Sequence, residues 1–530
     1  MGERYIDLSV VAASRWSRRR FLGAGGALLL AACTGGSGDS TAASTTTLAT
    51  PALPDDPFTL GVASGDPLPD AVVLWTRLAP DPLAGGGMPE VDVPVRWEVA
   101  ADEGWRHVVA DGEAVAMARY AHSVRVDVRD LDPGRPYWYR FSVGTHESPV
   151  GRTRTAPAPG DSGGSLLLAQ ASCQHWGTGH YTAYRDMAEA EVDLVVHCGD
   201  YIYESTQGPV RPVPVPEPVD LRGYRNVHAL YRTDEHLQRA HAIAPFLLTW
   251  DDHEVENNYQ GMAPEADSTT PDPGAFAERR AAAYQAWWEH APVRLGPPSG
   301  PDLDIYRQVR WGGLAELLLL DTRQHRSDQV CAATDIGPRC DESQRPDFTV
   351  LGQAQEQWVR RALDGAEAAW TVLAQQILVS QWRFAPGNGA WNLDQWDGYP
   401  AARERLVRDL RESAAPSPVV LTGDVHTSWV GTVADDFDDP AAVGRATEFV
   451  APGVSSEAPG LLGQVAPMLL SNSPHLAWGE TEHRGWVRHD ISAEEWTAEF
   501  RFVDDPADPA SPLTIGSRWT VPHGQRVERA

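Results

Sequence analysis

Six short apolar runs, each ending in a knot of polar and titratable side chains, constrain this chain more than any other feature. The run at 166–169 leads into Ser172-Cys173-Gln174-His175, and the run at 194–196 into His197-Cys198-Gly199-Asp200-Tyr201-Ile202-Tyr203-Glu204. The run at 246–248 leads into Asp251-Asp252-His253-Glu254-Val255-Glu256-Asn257-Asn258, and that at 317–320 into Asp321-Thr322-Arg323-Gln324-His325-Arg326. The last two, at 377–379 and 419–421, end in Ser380-Gln381-Trp382 and Thr422-Gly423-Asp424-Val425-His426-Thr427. Runs this short are buried strands when helix-spaced stretches, such as 277–288 and 353–363, lie between them. The pattern predicts an α/β fold of layered sheets. Ligand sites in such sheets form just beyond the carboxyl ends of the strands, where these knots lie.

Residues 58–155 have a different texture. Positions 93–99 and 122–128 alternate apolar and polar residues, 137–143 is aromatic and β-branched, and Asp132-Pro133-Gly134 marks a turn. This predicts a small all-β sandwich preceding the α/β region, which spans 165–505. Residues 506–530 read as a C-terminal tail.

The first 33 residues read as an export signal. Ser17-Arg18-Arg19-Arg20-Phe21-Leu22 precedes an apolar stretch too short for a membrane span, and its paired arginines resemble a twin-arginine signal. Leu30-Ala31-Ala32-Cys33 resembles a lipobox, which would attach a lipid to Cys33; ordinary cleavage near Ala32 is the alternative. The Gly/Ser/Thr-rich stretch over 34–57 then serves as a flexible linker. The expected location is outside the cytoplasmic membrane, extracellular or on the cell surface. Cys331 and Cys340 bracket a short loop and could pair in that oxidising setting.

Charge narrows the chemistry. The formal net charge is −29, and all 44 basic residues are arginine, since the chain has no lysine. So acidic a protein does not suit sequence-independent nucleic-acid binding. A phosphate-binding Gly-x-x-x-x-Gly-Lys loop is impossible without lysine, and no Gly-x-Ser-x-Gly between a strand and a helix supports a serine hydrolase. An acidic protein that handles anions needs a locally positive site, and bound cations are the strongest way to make one.

The knots also resemble a known family. Calcineurin-like metallophosphoesterases place ligands at strand ends as Asp-x-His, Gly-Asp-x-x-Asp, Gly-Asn-His-Asp/Glu and Gly-His-x-His. Here Tyr203 stands at the second aspartate of Gly199-Asp200-Tyr201-Ile202-Tyr203, Asp252 at the asparagine, and Asp424 at the first histidine of Gly423-Asp424-Val425-His426. Ser172-Cys173-Gln174 replaces Asp-x-His. These departures resemble the alkaline phosphatase D family, as does Gly61-Val62-Ala63-Ser64-Gly65-Asp66-Pro67, and the likeness runs from about Phe58 to Phe502.

The resemblance implies a metallophosphoesterase-like β-sheet sandwich flanked by helices, holding a ferric ion (Fe3+) with calcium ions (Ca2+, two). It implies Cys173 and Tyr203 as ferric ligands, Asp200 as the bridging carboxylate, Asp252 and Asn258 on the calcium side, and Asp424 and His426 as further ligands. His253 falls at the position that meets the substrate or its leaving group. Arg323 and Arg326 would either bind phosphate or close their loop by ion pairs. His175, His197 and His325 flank the ligands as candidate supports, and Trp382, Trp391 and Trp396 line a substrate mouth or pack in the core. The implied reaction is hydrolysis of phosphate mono- or diesters. Phospholipase D-type cleavage is a variant within the family, and a non-catalytic surface-binding lipoprotein is the rival from another class.

Overall fold

The computed structural model describes residues 50–530 except 267, 332–334, 385–388, 440, 459 and 461. The signal expected over 1–33, with Cys33, and the linker up to residue 49 lie outside the described residues. The fold is mixed α/β, with seven helices among the described residues.

Period-2 alternation in the apolar runs explains how two large sheets stack. Leu166, Leu168, Leu194, Val196 and Leu247 face Leu317, Leu319, Val372, Val419 and Leu421 in one buried cluster between a ten-stranded and a seven-stranded sheet. The intervening residues point outward. Val195, Phe246 and Leu248 meet Tyr184, Tyr224, Leu237 and Trp287 from the helices Thr182–Glu189, Leu221–Arg232, Glu235–Ile243 and Pro273–His290. On the other side Leu318, Leu373 and Val420 meet Val359, Leu363, Leu406 and Leu410 from Gly352–Asp364 and Pro400–Glu412. Each fully buried Leu or Phe contributes about 1.5–3 kcal/mol, so a one-residue register slip would cost the whole pattern. Three helices begin at aspartate caps: Asp220, Asp234 and Asp272 accept from Gly223, His236 and Ala275 N–H at 2.8, 2.9 and 2.9 Å.

Strand direction sets the site. Leu166–Ala171, Leu194–His197 and Pro245–Leu248 are parallel neighbours in one sheet. Ala315–Leu319, Trp370–Ala374 and Pro418–Thr422 are parallel neighbours in the other. Gln170 ties the two sheets together beside these ends, donating from Nε2 to Thr422 O at 2.9 Å and Phe449 O at 3.0 Å.

Two regions differ from the sequence expectation. Val62–Leu68 pairs in parallel with Pro245–Leu248, and carries Ala71–Arg77 and Ser123–Val128 with it into the ten-stranded sheet. The remaining N-terminal strands form a five-stranded sheet that packs on this end, Tyr139 and Phe141 against Val72 and Leu74. One leaf of the N-terminal sandwich is thus shared with the large sheet. At the other terminus Leu513–Pro522 pairs with Glu495–Val503 and buries Trp519 and Val521, so part of the expected tail is sheet. No helix among the described residues is long and apolar enough to cross a membrane. Cys331 and Cys340 are joined in a disulfide.

Candidate metal centre

Two glycines let neighbouring and opposed strand ends come close enough to share a site. A Cβ on Gly199, whose φ is +105°, would lie 2.5 Å from Asp251 Cβ; one on Gly423 would lie 2.7 Å from Ser172 Cβ. Residues around the site are strained. Cys173, Asp200, Asn258, Asp424 and His426 all adopt positive φ, between 50° and 63°. Non-glycine residues there cost free energy that the surroundings must hold in place, and such residues cluster at functional sites. Buried Glu254 supplies much of that hold, accepting from the backbone N–H of Asp200, Tyr201 and Asp251 at 3.1, 2.7 and 2.8 Å.

The side chains converge on a cavity of about 180 Å³. Candidate ligand atoms fall in three groups: Cys173 with Asp200 and His426; Asp200 with Asp252 and His253; and Asp251 with Asp252 and Asp424, each within 4.8 Å. Asp200 and Asp252 belong to two groups each, so the three form one chain. Tyr203 joins the first, its hydroxyl 2.7 Å from Asp200 Oδ2 and 2.9 Å from His426 Nε2. His426 Nδ1 donates to Glu457 O at 2.7 Å, which leaves Nε2 as the inward lone pair. Asn258 lines the same cavity and donates its backbone N–H to Asp252 Oδ2 at 2.6 Å.

The donor set fits cations. Asp200 Oδ1, Asp251 Oδ2 and Asp252 Oδ1 are buried with no hydrogen-bond partner. Buried carboxylate oxygens are ordinarily satisfied, so three together point to something that takes their lone pairs. The charges agree. Asp200, Asp251, Asp252, Glu254 and Asp394 are buried and Asp424 is half-buried, against the guanidiniums of Arg323 and Arg326. Burial pushes Asp251 well above the usual carboxylate range and Asp424 up to about 7, despite the pull of Arg323. Burial and then Asp200 raise the Cys173 thiol and the Tyr203 phenol as well. Burial thus disfavours the charged form of each of these groups, and bound cations would favour it.

His253 is fixed from two sides. Its Nδ1 is 2.8 Å from Glu204 Oε2, and its ring stacks on Tyr203 with centroids 4.0 Å apart. Burial opposes its charged form, but Glu204, Asp252 and Asp200 outweigh it and raise the imidazolium pKa well above the ordinary value.

Arg323 and Arg326 are placed differently from a phosphate clamp. Arg323 is fully buried, with Nε on Asp251, Nη1 2.8 Å from Asp394 Oδ1 and Nη2 2.7 Å from Asp424 Oδ1. Arg326 gives Nη1 and Nη2 to Asp394 Oδ1 and O at 2.7 and 2.6 Å. Arg323 is thus held by carboxylates on all three nitrogens and Arg326 by the carboxylate and backbone carbonyl of Asp394, as in the loop-closing alternative. His175 packs against Tyr203 and accepts from Gly177 N–H at 3.0 Å. His197 is buried without a partner, and burial lowers it to about 3; His325 sits 3.7 Å from Asp304, outside the cavity. Trp382 lines the cavity, whereas Trp391 stacks under Arg339 and Trp396 packs in the core.

Four residues that sequence reasoning did not single out complete the site. Glu204 orients His253, Gln395 donates to Asp424 Oδ2 at 2.7 Å, Ser456 donates to Tyr203 Oη at 2.8 Å, and Asp394 binds both arginines. Glu204 ends a motif and was within reach of the strand-end argument. The other three lie in irregular segments with no such marker.

Residues 168–500 match the PhoD-like phosphatase family, and residues 41–157 match the N-terminal domain of PhoD-like phosphatases. Alkaline phosphatase D of Bacillus subtilis (strain 168) is 45% identical over 478 residues, covering 88% of this chain and 81% of that protein. The solved structure of PhoD superposes with a TM-score of 0.86 at 43% identity, covering 90% of this chain and 93% of that one. The chain therefore belongs to the PhoD-like phosphatase family.

Proposed function

We propose that this protein is a metal-dependent phosphoesterase, exported by the twin-arginine route, that hydrolyses phosphate mono- and diesters. The observation that carries this reading is the chain of ligand groups through Asp200 and Asp252, with unpartnered carboxylate oxygens on the cavity floor. The Cys173, Tyr203, His426 and Asp200 end suits a ferric ion, because thiolate and phenolate donate strongly to it. The all-oxygen end, Asp251, Asp252 and Asp424 with Asn258, suits calcium. When bound, the cations supply Lewis acidity that activates water and neutralises phosphoryl oxygens.

The residues of the chain do the rest. Glu204 holds the His253 ring through Nδ1, so its other nitrogen can carry a proton at the cavity. As water attacks phosphorus and the ester P–O bond breaks, that proton passes to the leaving oxygen. Arg323 and Gln395 hold the Asp424 carboxylate in a fixed orientation. Export, and lipid attachment at Cys33, rest on the leader residues quoted above.

The test joins metal analysis to a substrate panel. Purified protein should carry iron and calcium, absorb visible light through its thiolate and phenolate, and hydrolyse a nitrophenyl phosphate or its diester. Phosphatidylcholine in the panel separates the phospholipase variant. Asp200→Asn should lose the colour and at least about 100-fold in activity. A wild-type protein that is active without metal, or that binds none and hydrolyses nothing, sinks the proposal.

A further inference from the structure

The cavity has an unusual rim. Among the described residues no arginine lines it, and its cationic candidates are histidines. Four of its carboxylates have work: Asp200, Asp252 and Asp424 belong to the ligand groups, and Asp394 is held by Arg323 and Arg326. The fifth, Asp335, does not. It is exposed at the rim, and its side-chain partner is the neutral amide of Asn258. Partial burial and then Asp394 raise its pKa, with Asp252 adding to them, while Arg323 and the Asn258 contact oppose the shift.

The position is built. Leu393 N–H donates to Asp335 O at 2.6 Å. The next two residues, Ile336 and Gly337, pair with Asn392 and Trp391 as a short antiparallel ladder. Arg339 is anchored on Asp397 at 2.8 Å, and the Cys331–Cys340 disulfide closes the loop. Asn392 and Asp394 of the partner segment also line the cavity, so the ladder holds Asp335 on the lining beside them.

We propose that Asp335 is a specificity-determining residue, a fixed rim charge that disfavours phosphoryl groups carrying two negative charges. This deepens the phosphoesterase reading above and rests on it. A diester presents one negative charge at neutral pH, whereas a monoester presents close to two. Even with cations held by the ligand groups, no arginine among the described lining residues offsets Asp335 at the rim, so the dianion meets it at close range, and the repulsion falls mainly on substrate capture. Because the carboxylate is solvent-exposed, salt screens it.

The experiment uses the full-length, metal-containing protein and its Asp335→Asn variant, which retains a hydrogen-bonding side chain toward Asn258. kcat/KM is measured for p-nitrophenyl phosphate and bis-p-nitrophenyl phosphate at low ionic strength and in 0.5 M salt, and inorganic phosphate binding is measured by calorimetry. Asp335→Asn should raise the monoester-to-diester ratio roughly threefold or more and tighten phosphate, with both gains shrinking in salt. Equal loss on both esters with lowered calcium content would make Asp335 a metal ligand and overturn the proposal. An unchanged ratio and unchanged phosphate affinity would overturn it too. Wild-type protein that hydrolyses neither ester sinks the phosphoesterase reading itself, a result the variant cannot mimic.

Discussion

Arg323 shows how one residue type supports opposite roles. In sequence it follows a strand at the site, the position expected of a phosphate clamp. In the structure its guanidinium is enclosed by Asp251, Asp394 and Asp424, with Asp252 Oδ1 3.4 Å away. Removing one partner of a buried ion network costs about 3–5 kcal/mol, because the other charges stay buried. Arg323→Leu should therefore melt earlier and give poor soluble yield, with calcium lost on purification. A variant that melts like wild type and shows only a raised KM would return Arg323 to the substrate. What made Cys173, Asp200, Asp252 and Asp424 legible was their shared place at strand ends. Asp394 and Gln395 were not legible, because they reach the same cavity from a loop that long-range pairing brings back. The roles of Arg323 and Arg326 were undecidable for the same reason: their partners come from three segments.

At the scale of elements, the strand assignments of the α/β region followed from short apolar runs, but the coupling between the sheets did not. It depends on a chain of polar groups inside the core. Trp496 Nε1 donates to His489 Nδ1 at 2.9 Å, so His489 Nε2 carries the hydrogen and donates to Gln170 Oε1 at 3.0 Å. Gln170 then bridges to Thr422 and Phe449 in the opposite sheet. Burial lowers the His489 pKa to about 3. The unfolded chain's histidine binds a proton near pH 6.5, so the folded state keeps this contribution above that pH. It loses about 1.4 kcal/mol per pH unit below it, down to the folded pKa. His489→Phe removes the titration but leaves Trp496 Nε1 and Gln170 Oε1 unpaired, at about 1–3 kcal/mol each. The variant should have the lower Tm at pH 8 and a shallower fall in Tm between pH 6 and pH 4 than wild type. Parallel Tm-against-pH curves for the two proteins would remove His489 from the acid response.

For the whole molecule, the sequence suggests two units in series, whereas the sheet topology makes them one. The change of texture near residue 160 was legible; a parallel pairing across some 180 residues leaves no local sign. Val62–Leu68 contributes more than an edge. A Cβ on Gly65 would lie 2.3 Å from Pro292 O and 2.6 Å from Phe246 O, so the backbones touch. Asp66 is buried, accepting from Arg294 N–H at 2.7 Å and Arg307 Nη2 at 2.8 Å. Trp75 Nε1 donates to Glu289 O, and Arg77 Nη1 meets His290 Nε2, both at 2.8 Å. Removing 50–157 would strip three strands from the sheet that carries Asp200 and Asp252, and would leave Arg294 and Arg307 without their carboxylate. Against a total stability of about 5–15 kcal/mol, losses of that kind exceed what a domain can bear. A chain of residues 158–530 should therefore fail to accumulate as a soluble monomer, while 50–530 does. If 158–530 is soluble, melts cooperatively and binds calcium, the N-terminal strands are an accessory, and the single shared sheet is not what holds the metal centre in shape.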